Sequence, residues 1–369
     1  MDYKYNKQLS LILMFLIHVL CLFIVISKAK ADQRPQNNKA SAVFVFGDST
    51  VDPGNNNYVS TIFKSNFLPY GRDFPDHQPT GRFSNGRLTT DYIASYVGVK
   101  EYVPPYLDPN LKSEDLLTGV SFASAGSGFD PLTPIFSNVI PVLQQLEYFK
   151  EYKKRVERVI GKQKTEDHIK NAIFIISAGT NDFVVNYFTI PIRRNSYSVS
   201  TYQLFVIQHV KQFLQGLWAE GARRIGMAGL PSMGCLPVVI TLNSTNSFHQ
   251  RGCIEKYNSI SRNYNQILQK ELHLMQNIFS TLGARISYID IYGPLVEMSH
   301  KRKKFGFDEI YNGCCGTGYL EASFLCNSLT NACPDANKYM FWDSIHPSER
   351  TYYYIFLYSR PIIDYLCKG

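Results

Sequence analysis

VFVFGDST, the stretch from Val43 to Thr50, is a short apolar run that ends in a Gly-Asp-Ser-Thr turn. A continuous apolar run of this length, rich in β-branched residues, is typical of a strand buried on both faces of a parallel sheet. The turn places the Ser49 hydroxyl directly beyond the carboxyl end of that strand, and Gly47 permits the tight exit. Ligands of open parallel sheets bind beyond this end of the strands, so we expect chemistry there.

Four further apolar runs and the helical patterns between them extend this reading to the whole chain. The runs are Gly119 to Ser124, Ile173 to Gly179, Arg224 to Gly229 and Ile286 to Tyr292. Apolar residues at three-to-four spacing predict helices near Leu88 to Val97, Val142 to Val159, Thr201 to Glu220 and Glu255 to Leu282. This alternation predicts an α/β protein with a central parallel sheet covered on both faces. Because no linker or internal repeat interrupts residues 32–369, we expect them to form a single domain.

Two more polar segments follow predicted strands and would meet Ser49 at the same sheet edge. They are Ala125-Gly126-Ser127-Gly128 and Gly179-Thr180-Asn181-Asp182. The Gly126 amide and the Asn181 carboxamide, together with the Ser49 amide, are donors that can stabilise a developing oxyanion. Taken singly, a plain glycine turn and an Asx turn explain these segments equally well.

The segment FWDSIHPSE near the carboxyl end holds Asp343 three residues before His346. Pro347 biases the histidine away from helical geometry, which indicates a structured loop. In such a loop Asp343 can accept one imidazole N–H, so that the other ring nitrogen can take a proton from Ser49. A helix cap beside a surface histidine is the simpler alternative for this spacing alone. Motifs for other chemistry, such as a Gly-x-Ser-x-Gly elbow, a phosphate-binding glycine loop or a His-Glu-x-x-His helix, are missing from the sequence.

The first 31 residues resemble a signal peptide. A lysine-containing stub precedes an apolar run from Leu9 to Ile26, and Ala29-Lys30-Ala31 has the form of a cleavage site. A retained membrane anchor is the alternative. The whole chain has a net charge of +8, and cleavage would remove four lysines and one aspartate to leave +5. That mild charge argues against nucleic acid as a partner and leaves weak attraction to a membrane surface open.

Cysteine usage also indicates a secretory route. One of the eight cysteines, Cys21, lies in the leader, and the others lie in the second half of the chain. Cys235 with Cys253 would close one loop, and the four cysteines from Cys314 to Cys333 would form two bridges of open connectivity, which leaves Cys367 over. Asn243-Ser244-Thr245 is a glycosylation acceptor inside the first loop. No ligand spacing for a metal is present.

Over nearly all of residues 32–369 the sequence resembles the plant GDSL esterase/lipase family of the SGNH hydrolase superfamily. The resemblance rests on FVFGDSTVDPGNNN, PTGRFSNGR, GVSFASAGSG, GTND, GLPSMGCLP, YNGCCGTG and FWDSIHPSE. It implies a flavodoxin-like α/β/α three-layer sandwich without cofactor or metal. It also implies the following roles: Ser49 as nucleophile, His346 as base, Asp343 as the group that orients the base, and Gly126 and Asn181 as oxyanion donors.

Several residues near these motifs need separate interpretation. Thr50 replaces the leucine of the family name, and Ser121 stands where asparagine is usual; we expect altered packing, or lost activity if Ser121 leaves a turn amide unpaired. Asp48 and Asp182 are interpreted as supports of the turns. Arg82 and Arg87 either contact an acyl or sugar substrate or hold their own loop, and the second role is the one we expect.

The sequence therefore predicts a secreted serine esterase or lipase that hydrolyses carboxylic esters through an acyl-enzyme on Ser49. Its partner would be an ester of a lipid, a cell-wall polymer or a small metabolite. Two alternatives remain: a transacylase that uses the same site on a hydroxylated acceptor, and a non-catalytic extracellular binding protein of the same fold.

Overall fold

The computed structural model describes residues 40–244, 246 and 250–368. The predicted signal peptide, residues 1–31, lies outside the described residues and stays a prediction, as does the start of a domain at residue 32.

Four parallel strands form the central sheet, and each corresponds to one of the predicted apolar runs. They are β1 (Val43–Gly47), β2 (Ile173–Ser177), β3 (Arg224–Ala228) and β4 (Arg285–Ile289), hydrogen-bonded in the order β1-β2-β3-β4. Their first residues lie in one row, because Val43 pairs with Ile173, Ile173 with Arg224, and Arg224 with Arg285. Parallel strands in this register end at one edge of the sheet, where Ser49 follows β1.

The predicted strand at 119–124 runs beside β1 but is not a regular strand. Ser121 forms isolated bridges with Val45 on one side and Pro105 on the other. The Val45 amide donates to the Val120 carbonyl, and the Phe122 amide donates back to the Val45 carbonyl. Side chains described below make hydrogen bonds to several of the backbone groups that a regular strand would use for pairing with its neighbour. If this segment is counted as the second strand, the spatial order becomes 2-1-3-4-5, which is the flavodoxin-like order.

Helices cover both faces of the sheet. The α-helices of the described residues are α1 (Thr89–Tyr96), α2 (Ser113–Thr118), α3 (Thr133–Ser137), α4 (Val142–Ile160), α5 (Lys162–Asn171), α6 (Pro191–Ser196), α7 (Val199–Ala219), α8 (Pro237–Asn243), α9 (Glu255–Phe279), α10 (Tyr292–His300), α11 (Arg302–Phe305) and α12 (Glu349–Cys367). A π-helix spans Asp182–Thr189, and 3-10 turns span Asn55–Tyr58, Met233–Cys235, Ser280–Leu282, Ser323–Leu325 and Ala336–Lys338. The four predicted helices correspond to α1, α4, α7 and α9, with ends displaced by at most three residues.

The alternation of side chains in β1 divides the interior into two cores. Phe44 and Phe46 pack in the larger core with residues of α4, α7 and α9. Val43 and Val45 pack in a smaller core with residues of α1 and α12. All four side chains are fully buried, and each contributes about 1.5 to 3 kcal/mol relative to an exposed position. The protein is therefore a three-layer α/β/α sandwich, as predicted.

A small parallel pair, β5 (Glu309–Gly313) and β6 (Tyr339–Phe341), supports the carboxyl-terminal loops. Next to it lie two of the three disulfide bonds, which the structure pairs as Cys314–Cys333 and Cys315–Cys326. The predicted Cys235–Cys253 bond is present as well, and Cys367 is a buried free thiol at the end of α12. The structure therefore assigns the disulfide pairing that the sequence left open.

Two surface features bear on the environment of the chain: the glycosylation acceptor, and any helix that could span a membrane. Asn243, the predicted glycosylation site, is exposed at the end of α8, while Thr245 of its acceptor motif lies outside the described residues. Within the described ranges, no helix is long and apolar enough to cross a bilayer.

Candidate active site

The turn that carries Ser49 is fixed at Gly47, the last residue of β1. Gly47 has φ +141°, and a Cβ atom there would lie 1.9 Å from the carbonyl oxygen of Ser177, so only glycine fits. The carboxamide of Gln145, in α4, accepts from the Gly47 amide and donates to the Gly47 carbonyl, both at 2.8 Å. These contacts hold the exit of β1 from two sides and leave Ser49 just beyond the sheet edge.

The loop that carries His346 connects β6 to α12 and is fixed at both ends. The Trp342 amide donates to the His346 carbonyl at 2.8 Å. The Ser348 hydroxyl accepts from the Thr351 amide at 3.4 Å and caps the first turn of α12. The predicted structured loop is therefore present, and it directs the imidazole toward the Ser49 turn.

Ser49, His346 and Asp343 form one line of hydrogen bonds. The Ser49 Oγ lies 2.8 Å from His346 Nε2, and His346 Nδ1 lies 2.7 Å from Asp343 Oδ2. The three residues are 7%, 4% and 0% exposed. Because the carboxylate accepts from Nδ1, that nitrogen carries the proton and Nε2 is free to accept one from Ser49. The structure thus brings together the three residues that the sequence predicted, although Asp343 and His346 lie nearly 300 positions from Ser49.

The Asp343 carboxylate has further partners that the sequence analysis missed. Its Oδ1 accepts from the amides of Ile345 and His346 at 2.8 and 2.7 Å. The Tyr70 hydroxyl donates to Oδ2 at 2.7 Å and itself accepts from the Ser323 amide at 2.8 Å. This fully buried carboxylate is therefore satisfied on both oxygens. Nothing in the local pattern around Tyr70 distinguishes it from the many other tyrosines of the chain.

The predicted oxyanion donors lie on two adjoining segments. Asn181 donates through Nδ2 to the Ser127 carbonyl at 2.9 Å, which leaves its second amide hydrogen for another acceptor. Gly126, which precedes Ser127, has φ +85°, and a Cβ there would lie 3.0 Å from the Ser137 side chain. Within the described part of the chain, the amides of Ser49 and Gly126 donate to no protein acceptor. These three groups therefore have hydrogens available for a further acceptor, as the predicted role of oxyanion donor requires.

The segment before Gly126 is held by Asp52, Asn55 and Asn56, to which the sequence analysis gave no role. Asp52 accepts from the Ala125 amide at 2.9 Å. Asn55 donates to the carbonyls of Ser121 and Ala123, both at 2.8 Å, and Asn56 donates to the Ala125 carbonyl at 3.0 Å. These bonds join the Ser49 turn to the residue next to Gly126. The only available signal was the run of small polar residues in DPGNNN, which is typical of turns.

Proteins of similar sequence identify the family of this chain. A family model described as GDSL-like lipase/acylhydrolase matches residues 43–358. The chain belongs to this family. It is 59% identical over 336 residues to a GDSL esterase/lipase of Arabidopsis thaliana, covering 91% of this chain and 89% of the relative. Two other GDSL esterases/lipases of that plant are 48% identical over 316 residues and 46% identical over 350 residues, covering 85% and 94% of this chain and 87% and 95% of the relatives. Accordingly, the chain is a carboxylic ester hydrolase that acts on ester substrates.

The two departures from the pattern of the GDSL family are both accommodated. The Thr50 hydroxyl donates to Asp48 Oδ1 at 2.7 Å and lies 2.9 Å from the Ser177 hydroxyl. The Ser121 hydroxyl donates to the Val51 carbonyl at 3.1 Å and accepts from the Ala123 amide at 3.2 Å. Since that amide has a partner, Ser121 does not leave the turn with an unpaired group.

Asp48 and Asp182 support turns, as the sequence analysis expected. Burial raises the pKa of Asp48 to about 6, against the opposing effect of bonds from the Thr50 amide and hydroxyl. Asp182 accepts from the amides of Phe129 and Asp130 and from the Thr133 hydroxyl, and burial raises its pKa to about 7. Neither carboxylate bonds to Ser49, His346 or Asp343. Among the described residues, no group of three or more His, Cys, Asp or Glu side chains is placed to hold a metal ion.

Arg82 and Arg87 hold their own loop. Arg82 is 4% exposed and makes two bonds of 2.8 Å to the Asp91 carboxylate. Arg87 pairs with Glu101 and donates to the Tyr102 hydroxyl. These contacts favour the structural role over direct contact with substrate.

An apolar cavity opens beside Ser49 and enters the layer between the sheet and α1, α10 and α12. The volume of this cavity is about 80 Å³. Ser49 and Asn181 both line it, so the predicted nucleophile and one predicted oxyanion donor share a cavity. The sequence did not predict this space, because its walls come from side chains spread over the whole chain.

Proposed function

We propose that this GDSL family member hydrolyses carboxylic esters as a secreted serine esterase, through an acyl-enzyme on Ser49. The observation that carries the proposal is the hydrogen-bonded line from Ser49 Oγ through the His346 imidazole to the buried Asp343 carboxylate. A serine is a weak nucleophile unless a neighbouring base takes its proton, and this geometry supplies both the base and the group that orients it.

In the first half of the reaction, His346 Nε2 takes the proton of Ser49 as Oγ bonds to the ester carbonyl carbon. The amides of Ser49 and Gly126 and the carboxamide of Asn181 stabilise the oxyanion that forms. The ester C–O bond then breaks, and His346 gives its proton to the departing alcohol oxygen. In the second half, water gives a proton to His346 and attacks the acyl carbon. The acid departs, and Ser49 recovers its proton.

Secretion is part of the proposal and rests on separate observations. Three disulfide bonds fit an oxidising compartment, and the exposed position of Asn243 fits glycosylation. Residues 32–369 would then be the mature single-domain enzyme. Amino-terminal sequencing of the secreted protein checks this part, since a start near residue 32 is expected and a retained amino terminus would contradict it.

A fluorophosphonate probe tests the chemistry. We expect labelling of a single serine, mapped to Ser49 by peptide mass, and no labelling of Ser49→Ala. The matched control is Ser127→Ala, because Ser127 is a buried serine on the neighbouring oxyanion segment. A folded protein that is not labelled, and that cleaves no member of an ester panel, would be the non-catalytic binding protein. Ester consumption that yields a new ester with an added alcohol would identify the transacylase.

A further inference from the structure

The cavity beside Ser49 follows one face of the sheet inward from the edge. In β2 both Ser177 and Ile175 line it. Residues two apart on a strand share a face, and Ile175 lies about 6 to 7 Å deeper than Ser177. Ala228 is the last residue of β3 and Ile289 is the last residue of β4, and both side chains continue this wall. The cavity therefore extends into the smaller core and is not confined to the sheet edge.

The opposite wall comes from α12. Tyr352, Ile355 and Ser359 line the cavity at a spacing of three and four residues, which places them on one face of the helix. Seven residues of helix span about 10 Å, so the cavity follows α12 for about that length. These three side chains are between 3% and 5% exposed, which shows that this wall lies inside the protein.

One polar group in this wall lacks a partner. The Tyr352 side chain is 3% exposed, and its hydroxyl has no hydrogen bond within the described part of the chain. Tyr352 lies in the first turn of α12, directly after the loop that carries His346, which places it at the Ser49 end of the cavity. Burial raises the pKa of Tyr352, and the carboxylates of Asp343 and Asp48 raise it further. An unpaired hydroxyl in an interior wall is costly unless a ligand or water meets it.

We propose that this cavity binds the acyl chain of the substrate, and that the preferred substrates are esters of unbranched aliphatic acids of about eight to ten carbons. The inference rests on the proposed function, since it places the acyl-enzyme on Ser49. The acyl group stays bonded to Ser49 while the alcohol must leave to solvent, so the interior space suits the acyl part. Three bonds of an extended peptide backbone span about 3.3 to 3.6 Å, and the slightly longer carbon–carbon bonds of an alkyl chain mean that 10 Å accommodates about eight bonds. The Tyr352 hydroxyl, at the Ser49 end, can donate to an ester oxygen.

The first test is the dependence of kcat/KM on acyl length, measured with p-nitrophenyl esters from acetate to palmitate. Burying each methylene is expected to raise kcat/KM by about four-fold at most, up to about the decanoate, with no further rise beyond it. A profile that is flat, or that falls steadily from the acetate, would overturn the inference while leaving the proposed function intact. If no ester is cleaved and Ser49 is not labelled by the fluorophosphonate, the proposed function fails, and the inference fails with it.

The second test fills the cavity. Ser359→Leu adds volume to the inner part of the α12 wall and should lower kcat/KM for the decanoate by at least about ten-fold while changing that for the acetate by less than about two-fold. Ser359→Ala is the matched control, because it removes the same hydroxyl bond to the Ile355 carbonyl without filling space. Ala228→Val fills the cavity from the sheet side and replaces Ser359→Leu if near-ultraviolet circular dichroism shows misfolding. An unchanged chain-length profile in a folded filling variant would overturn the inference.

Discussion

At the scale of single residues, Asn181 and Ser49 have unequal parts in the proposed reaction. In that reaction Asn181 would be one oxyanion donor of three and would meet the transition-state oxyanion more closely than the ground-state carbonyl. Asn181→Ala should therefore lower kcat by about 10² to 10³ and leave KM nearly unchanged. Steady-state kinetics on one ester, with circular dichroism to confirm folding, measures both constants.

The controls for this prediction are the residues of the hydrogen-bonded line. Ser49→Ala and His346→Ala should each leave almost no activity above background, and Asp343→Ala should slow kcat strongly. Combining Ser49→Ala with a second of these changes should lower the activity little further, because such residues act as a unit. Equal and small losses for all of the single variants would point to another nucleophile.

Tyr70 offers a prediction that comes from the structure alone. Its hydroxyl donates to the Asp343 oxygen that also accepts from His346 Nδ1. In Tyr70→Phe the carboxylate loses a donor and interacts more strongly with a protonated imidazole, so the acidic limb of kcat/KM against pH should move to higher pH. We expect kcat to fall by no more than about ten- to 150-fold, because one hydrogen bond to a charged group contributes about 1.5 to 3 kcal/mol and about 1.4 kcal/mol is ten-fold in rate.

A pH profile separates this effect from general destabilisation. Phe67→Leu is a suitable control, since the Phe67 ring packs against the Tyr70 ring and carries no polar group that could donate to Asp343. If both variants lower activity equally at every pH, Tyr70 acts only in packing. Sequence reasoning could not single out Tyr70, because its bond to Asp343 joins positions 273 residues apart.

At the scale of elements, Asp182 joins the π-helix to the segment that follows Gly126, through the amides of Phe129 and Asp130. Burial raises its pKa from 3.8 to about 7, so above about pH 4 the folded protein keeps a proton that the unfolded chain releases. The stability from that proton is complete below about pH 4 and is lost as pH rises through about 7. The free energy of unfolding of the wild type minus that of Asp182→Asn should therefore decrease from pH 5 to pH 8.

The slope of this difference is at most about 1.4 kcal/mol per pH unit for one proton. Urea unfolding of both proteins at several pH values measures it. Asp308→Asn is the control, because a bond from Lys303 lowers the pKa of this exposed carboxylate, and no loss of stability toward pH 8 is expected from it. A difference that stays constant from pH 5 to pH 8 would show that Asp182 is ionised in the folded state over this range.

The elements themselves were predictable to different degrees. Periodicity alone predicted α1, α4, α7 and α9, because each has a continuous apolar face. It did not predict α12, whose aromatic run Tyr352-Tyr353-Tyr354 blurs the boundary between apolar and polar faces. The segment at 119–124 was predicted as a full strand, because an apolar pattern does not reveal that the Asn55 side chain donates hydrogen bonds to two of its backbone carbonyls.

At the scale of the whole molecule, the flavodoxin-like fold was implied only by the resemblance to the GDSL family. The parallel sheet and the identity of the residues at its edge followed from the sequence. Both depend on rules that apply to any parallel sheet, namely where the apolar runs lie and which residues follow them. The pairing of Cys314 with Cys333, the cavity and the Tyr70 bond did not follow, because they depend on how distant loops meet. Such contacts are decided by packing, and one sequence carries no local trace of them.

The disulfide assignment leads to a thiol count for the mature protein. Of eight cysteines, six are bridged, Cys367 is free and Cys21 belongs to the predicted leader. Cys367 is 2% exposed and burial raises its pKa to about 11, so alkylation of native protein should label no cysteine. Unfolding without a reductant should expose one thiol, or two if the leader is retained, and mass spectrometry counts them. A larger number would refute the three bridges.

The bridges close loops of 18, 19 and 11 residues, for which the chain-entropy model gives about 3 kcal/mol each. Reduction should therefore lower the melting temperature, and an unchanged value would show that the bonds do not contribute to stability.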